Sequence, residues 1–535
     1  MLKLVDIRRN AAARPAHVAV VDGETRLTWQ QFEDQVSRVV AGLHAVLPPE
    51  RPARAAFAAG NSWQLVVVMA ACATLGIPCA GLDFTATPEA TARALEQLRP
   101  TVLFSTAAYR PLLEAAGTRA GEALAVHLDG RVGSTPTYAA LAATEPREVA
   151  PVEQPFAMYC FTSGTSGTPR MVIRHSSFEA RRLALLVEQF AFDKDDVHLV
   201  TVPLHHSSGP GWARVFLALG GRIVLCPLGD PALMARLIRT EGVTTTLVVP
   251  PALAALVSHP ASADLATTSR LRFVLSGGRH LNRWLVETAW DRLGPVLHLY
   301  YGTTETGVNT LITPDELHTS PGRAGRAMEG SAVAVVDSQG HLLPPGTRGR
   351  VAIASYQLMD DYGIGRPVFL DLDTGDGEGV RRFLLTGDSG VLDDEGRLEL
   401  TGRTDGVSKV DGTAPLDVNV FGLEYDLMDL PCVRDTAVLR VDLPELGDAL
   451  IVPFVPISLE REAGGYRAVE AACARRVPCL PAYVVPVASI PYSPTGKVRA
   501  GELLTDVLPG VLAREQRREG EERKEERAEG VAALR

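Results

Sequence analysis

The sequence predicts an α/β protein of more than one domain, and three observations carry that prediction. A chain of 535 residues is too long for a single hydrophobic core. Short aliphatic runs alternate with helical patterns through the first 300 residues or so: "TVLFS", "HLVTVP", "RIVLCP", "TTTLVVP" and "LRFVLSGG". Such runs, apolar on both faces, are what buried parallel strands require. After about residue 330 the texture changes to short alternating strands and Gly-rich turns. The expected architecture is a large N-terminal domain of parallel or mixed sheets with helices and a small β-rich subdomain, followed by a small α+β C-terminal domain.

Each element follows from local pattern. "PALMARLIRTEG" places Leu233, Leu237 and Ile238 at helical spacing. "SAVAVVDSQGHLLPPGTRGRVAIAS" and "SGVLDDEGRLELTGR" read as strands joined by turns at "DSQG" and "DDEG". From Gly406 to Leu504 there is room for a separate small domain. The tail "REQRREGEERKEERAEG" is nearly all charge and is expected to be solvated and disordered or a frayed helix.

Composition excludes several classes of function. The net charge of -10 and the absence of a basic tract in the body of the chain argue against nucleic acid. Seven cysteines without a CxxC argue against a disulfide framework or a zinc knuckle. The N-terminus lacks an apolar signal region, and runs such as "LVVVMAACATLGIPCAGL" are too broken by Gly and Pro for a membrane span. A reduced, cytoplasmic protein without a membrane partner is expected.

The most informative stretch is "YCFTSGTSGTPRMVIRH". Tyr159 to Phe161 would end a strand, and Ser176-x-x-Glu179 offers a capping box for a following helix, so the loop is expected to join strand to helix. Gly164 and Gly167 let backbone N–H groups face one point, and Thr162, Ser163, Thr165, Ser166 and Thr168 add hydroxyls. A triphosphate needs such a set: many neutral donors without bulk. The loop is not a Walker A motif. Three further motifs add to it. "YYGTTETG" offers one acid, Glu305, and a single carboxylate beside a phosphate loop suits Mg2+. "LLTGDSG" places Asp388 where it can accept from ribose hydroxyls. "PYSPTGKVRAGEL" places Lys497 in a Pro/Gly-bounded turn, and only five of the 53 basic residues are lysines.

In order and spacing these four stretches resemble the adenylate-forming superfamily of acyl- and aryl-CoA synthetases, adenylation enzymes and luciferase-like proteins. The resemblance implies an N-terminal ATP- and acid-binding domain at 1–403, a hinge at 404–405 with Asp405, a mobile C-terminal domain at 406–505 and a charged tail at 506–535. It implies an AMP-forming ligase of secondary metabolism. Such an enzyme condenses a small or aryl acid with ATP, releases pyrophosphate, and passes the acyl group to a thiol of CoA or of an acyl or peptidyl carrier protein. ATP and Mg2+ are the implied cofactors, with CoA as an acceptor.

Carried over by position, Thr162, Ser163, Gly164, Thr165, Ser166, Gly167 and Thr168 would hold the β- and γ-phosphates. Thr304 would contact the α-phosphate and Glu305 the metal, while Tyr301, beside Gly302, would stack on adenine. Gly277 and Gly278 would line the nucleotide and acyl pocket, Asp388 would bind ribose, and Arg403 would support ribose or phosphate. Lys497 would bridge the acid's carboxylate and the α-phosphate. The acid pocket would draw on His206, Gly211, Trp212, Arg279 and His280.

Several positions depart from the family pattern. Arg170 stands where a lysine is usual, and the region after Lys409 is longer and lacks a Gly-Gly pair, which puts CoA as the acceptor in question. In "PLHHSSGPGWARVFLALGG", where amino-acid-activating relatives carry an aspartate to pair with the α-amine, none is visible, so an amino acid is not the expected substrate. If Arg279 and His280 face the pocket, a small, polar or aromatic acid fits better than a long alkyl chain. If they face solvent, they carry no such preference. Two other readings stay open: a nitrite-activating diazotase of the same superfamily acting on an aryl amine, and a non-catalytic nucleotide-binding partner.

Overall fold

In a computed structural model, the chain is described at residues 1–47, 53–83, 85–117, 123–130, 136–150, 152, 157–163, 169–175, 180–227, 229–320, 322–403, 420–458 and 462–533. It divides into two compact units. The first comprises Met1–Arg279 with Thr288–Leu400, and the second His280–Glu287 with Thr401–Arg535.

The first unit is built on two large sheets, each with a run of parallel strands bordered by antiparallel ones. In the larger, Val18–Asp22, Arg222–Leu225, Val197–Val200, Thr245–Leu247, Phe273–Gly277 and Leu297–Thr303 lie side by side in that order, all parallel. Four of the five aliphatic runs of the sequence are strands of this sheet, and "TVLFS" is one of the second. Val197–Val200 and Phe273–Gly277 are buried throughout, as a parallel sheet covered on both faces demands. At Leu297–Thr303 the sheet switches, because the next strand, Gly307–Ile312, returns antiparallel. In the second sheet Leu124–His127, Val102–Ser105, Ala55–Ala58, Cys79–Gly81 and Met158–Ser163 are parallel neighbours. Pro169–Ile173 then pairs antiparallel to Met158–Ser163, and Asp361–Tyr362 antiparallel to Pro169–Ile173.

Helices cover these sheets. Trp29–Val46 starts on a capping box, with Thr28 accepting from Gln31 N and the Gln31 side chain accepting from Thr28 N, and buries Phe32, Val36, Val39, Val40 and Leu43. The expected helix in "PALMARLIRTEG" runs from Pro231 to Thr240, with Asp230 as N-cap and Pro231 in the first turn. Met234, Ala235 and Ile238 face the core, while Leu233 and Leu237 are half-buried at its edge.

The β-rich stretch after residue 330 is a set of antiparallel strands extending the larger sheet. Its two turns form as the sequence predicts. Asp337 Oδ1 accepts from Gln339 N and His341 N, with Gly340 at φ +91°. Asp393 Oδ1 accepts from Glu395 N and Arg397 N, with Gly396 at φ +73°.

The second unit has a four-stranded sheet of Val433–Thr436, Leu439–Leu443, Gly447–Pro456 and Ala482–Pro486. Helices Val420–Met428 and Glu462–Arg476 pack on one core, where Leu423, Leu427, Val469 and Cys473 meet Leu450, Val452 and Phe454. Of the two readings of the charged tail, the helix is the one the structure has. A single helix runs Ala500–Ala533, and Leu503, Val507 and Val511 bury against Ile451, Val455 and Ile490. Their spacing of four residues is an apolar helical stripe, and the charged run begins only beyond it. The hinge residue Asp405 and the stretch around Lys409 lie outside the described residues.

Candidate active site

The predicted motifs lie at the carboxyl ends of parallel strands, the edge where open α/β sheets bind ligands. Met158–Ser163, Phe273–Gly277 and Leu297–Thr303 all end on the predicted motifs. The Ser/Thr/Gly loop is not a strand-to-helix connection. Ser163 pairs with Pro169 and Thr162 with Arg170, so the loop is the turn of a β-hairpin. Apolar "MVI" continues as the return strand, with Met171 and Val172 buried, and the helix that follows is described over Ala180–Phe190. Gly164, Thr165, Ser166, Gly167 and Thr168 lie outside the described residues, as does Ser176–Glu179. The Thr162 hydroxyl donates to Arg170 O at 3.4 Å across the hairpin.

The "GTTETG" turn is held from within. Thr303 Oγ1 accepts from Glu305 N and Thr306 N, and Thr306 Oγ1 accepts from Thr303 N. Asn309 Nδ2 donates to Thr306 Oγ1 at 2.6 Å and to Gly307 O at 3.2 Å. Gly302 is compulsory, because a Cβ there would lie 1.9 Å from Gly307 O. The result presents Thr304 and Glu305, both half-buried, at the head of the turn.

Tyr301 and Asp388 come together from strands far apart in the chain: the Tyr301 hydroxyl donates to Asp388 Oδ2 at 2.7 Å. Tyr301 packs on Ala324, Val351, Ile353 and Leu398 and is buried. Beside it, a Cβ at Gly277 would sit 2.6 Å from the Tyr300 ring, so a larger residue is excluded. Gly278, at φ +85°, has open space where its Cβ would be.

Three residues that sequence reasoning missed join the hairpin to the acidic turn. Arg174 is buried, and its guanidinium donates to Thr304 O. Burial lowers its pKa from the ordinary arginine value, opposed by the nearby Glu305 and Asp360. Asp360 Oδ2 accepts from His175 N at 2.6 Å. The Tyr362 hydroxyl donates to Glu305 Oε1 at 3.2 Å, and the Arg170 guanidinium lies 4.6 Å from the Tyr362 ring centroid. Burial, then the Glu305 charge, pushes the Tyr362 hydroxyl up to about 12, so it remains a donor at neutral pH. One signal for Arg174 was available: strand alternation puts it on the same inward face as buried Val172.

The residues expected in the acid pocket fall in both units. Gly211 has open space beside its Cα. His206 is half-buried, with Nδ1 2.9 Å from Ser208 Oγ. Trp212 is a core residue, 3% exposed, among Phe192, His198 and Phe273. Arg279 is half-buried. His280 belongs to the second unit, where Nε2 lies 2.9 Å from Asp429 Oδ1 and the ring stacks on Tyr425.

Arg403 is exposed at the end of the strand Arg397–Arg403. Lys497 sits in a closed turn of the second unit: Ser493 N donates to Lys497 O, Lys497 N to Ser493 Oγ, and Arg499 N to Pro491 O. Tyr492 within this turn donates to Asp435. The lysine backbone is therefore fixed although the segment is a loop.

The residues fit a nucleotide with Mg2+. Among the described residues no group of three or more His, Cys, Asp or Glu could hold a metal. A single carboxylate on a polar turn suits Mg2+, which takes its other ligands from phosphate and water. Among the described residues no helix is long and apolar enough to cross a membrane.

Comparison with known proteins agrees with this geometry. A family profile described as AMP-binding enzyme matches residues 7–362. An indoleacetate–CoA ligase from Aromatoleum aromaticum is 26% identical over 509 residues, covering 93% of this chain and 96% of the relative. A salicylyl-CoA synthase / salicylate adenylyltransferase from a Streptomyces species is 27% identical, covering 92% and 91% respectively. Among solved structures, the amide bond synthetase McbA from Marinactinospora thermotolerans superposes with a TM-score of 0.73 at 26% identity, over 94% of this chain and 99% of that one. Enzymes of this family use ATP and generally Mg2+. The chain belongs to the AMP-binding enzyme family and is an AMP-forming, adenylate-forming ligase.

Proposed function

We propose that this ligase activates a small or aryl carboxylic acid as its acyl-adenylate, releases pyrophosphate, and hands the acyl group to a thiol of CoA or of a carrier protein. The observation that carries the reading is the meeting of Tyr301 with Asp388 and of Tyr362 with Glu305, both at the carboxyl edge of parallel strands. Asp388 receives the ribose, Glu305 the metal, and the hairpin loop the outer phosphates. The aryl preference draws support from the two aryl-acid relatives and from the open space beside Gly211.

The chemistry asks for no general base, because a carboxylate is already a nucleophile. The barrier lies in bringing two anions together and spreading charge on phosphorus, which positioned donors and a cation lower. Thr304 and Lys497 are assigned to that role, with Arg403 supporting ribose or phosphate. Mg2+, when bound, neutralises phosphate charge.

Pyrophosphate release across aryl acids, short acids, fatty acids and nitrite with an aryl amine, each with and without CoA, tests the proposal. Release with an aryl or short acid is the expected result. Release with nitrite and an amine alone would overturn it. No release with any substrate would favour a nucleotide-binding partner.

A further inference from the structure

The segment Met359–Gly363 is stitched to both halves of the proposed phosphate site. At one end Met359 N donates to Glu305 O at 2.7 Å. At the other, Asp360 N donates to Ile173 O at 2.9 Å and Gly363 N to Met171 O at 2.7 Å, with Asp361–Tyr362 paired to the hairpin's return strand. Gly363 has little room to give, because a Cβ there would meet Met171 side-chain atoms at 3.0 and 3.1 Å. The backbone that carries Tyr362 is thus fixed on the hairpin, while its hydroxyl reaches Glu305 Oε1 at 3.2 Å. The face of its ring carries Arg170, the residue that closes the loop. A planar guanidinium stacks on an aromatic face better than a compact, strongly hydrated ammonium. That gives the arginine at this position a physical reason.

We infer that Tyr362 is a positioning residue for Glu305: held by the hairpin and by Arg170, it fixes one carboxylate oxygen and so orients the acid toward the cation that accompanies the nucleotide. The inference rests on Glu305 being the metal ligand. A carboxylate that must bind Mg2+ alone gains from being held in one rotamer, since a wandering side chain loses entropy at each binding event. The hydroxyl acts without entering the reaction. Its effect therefore falls on the Mg2+ requirement for nucleotide binding, and not on the acid.

Calorimetric titration of ATP at increasing MgCl2, without any acid, tests this on full-length wild type, Tyr362→Phe, Glu305→Gln and the double variant. Phe keeps the ring, its packing and the Arg170 stack, so the unfolding midpoint read alongside is expected to stay near that of wild type. A hydrogen bond to a charged group is lost, so the MgCl2 at half-effect is expected to rise about tenfold in Tyr362→Phe. The double variant is expected to match Glu305→Gln alone. An unchanged requirement in Tyr362→Phe, with a shift in Glu305→Gln, overturns the positioning role and leaves the metal reading standing. Additive shifts in the double variant overturn it too, because Tyr362 would then act by another route. No shift in Glu305→Gln removes the metal reading on which the inference rests.

Discussion

Tyr301→Phe removes a single hydroxyl and is expected to weaken ATP binding through the ribose alone. The hydroxyl donates to Asp388 Oδ2 at 2.7 Å, the length of a charge-assisted bond. Such bonds to ionised groups contribute about 1.5–3 kcal/mol. Asp388 is half-buried, so water can replace part of the loss, and the lower end applies. At about 1.4 kcal/mol per factor of ten, the ATP Kd should rise roughly tenfold. Phe fills the same space among Ala324, Val351, Ile353 and Leu398, so global stability should change little. Calorimetry with ATP and with 2′,3′-dideoxy-ATP separates the causes. The dideoxy nucleotide has no hydroxyl for Asp388 to receive, so its affinity should be the same in wild type and variant. Equal losses for both nucleotides would refute the ribose assignment, and no loss for either would show that the Tyr301–Asp388 contact is structural only.

Lys497→Ala is expected to lower ATP–pyrophosphate exchange about a hundred- to a thousand-fold while ATP still binds, as for removal of one charge-stabilising group; unchanged exchange would sink the assignment. Gly302→Ala places a Cβ 1.9 Å from Gly307 O, a backbone atom that cannot move without opening the turn. It is expected to abolish Mg-ATP binding and to lower the denaturation midpoint, read by calorimetry and urea unfolding. Burial depresses His198 to about 3, with its ring stacked on Phe216 and Nδ1 2.9 Å from Thr245 Oγ1. Below its unfolded value of about 6.5 the unfolded chain binds the extra proton, so this contribution is complete above that value and is lost as pH falls toward the folded one. Near pH 4.5 the loss is about 2–3 kcal/mol, and His198→Phe should shrink the stability difference between pH 7 and pH 4.5 by that amount in urea titrations.

Much of the fold was legible because its signals are local. Aliphatic runs bounded by turns became buried parallel strands, Asp337 and Asp393 made the expected turns, and Asp230 with Pro231 started a helix. What the sequence reading left out was set by packing. The helix expected after the loop is there over Ala180–Phe190, but a strand precedes it, because Met171 and Val172 had a partner strand to pair with. The charge of the tail hid the stripe of Leu503, Val507 and Val511. Trp212, expected near the acid pocket, packs its ring among His198, Phe192 and Phe273, neighbours no local pattern names.

By itself the sequence determined the class of chemistry, because the order and spacing of its motifs resemble those of the family to which the chain belongs. Motifs are short segments, and a short segment carries its residue types wherever it folds. Which side chains serve each other was decided only by the tertiary structure. Tyr301 meets Asp388 across 87 positions, Tyr362 meets Glu305 across 57, and Arg174 meets Thr304 across 130. Contacts at that separation depend on how two sheets turn from parallel to antiparallel, and no periodicity within a segment encodes where another segment will arrive.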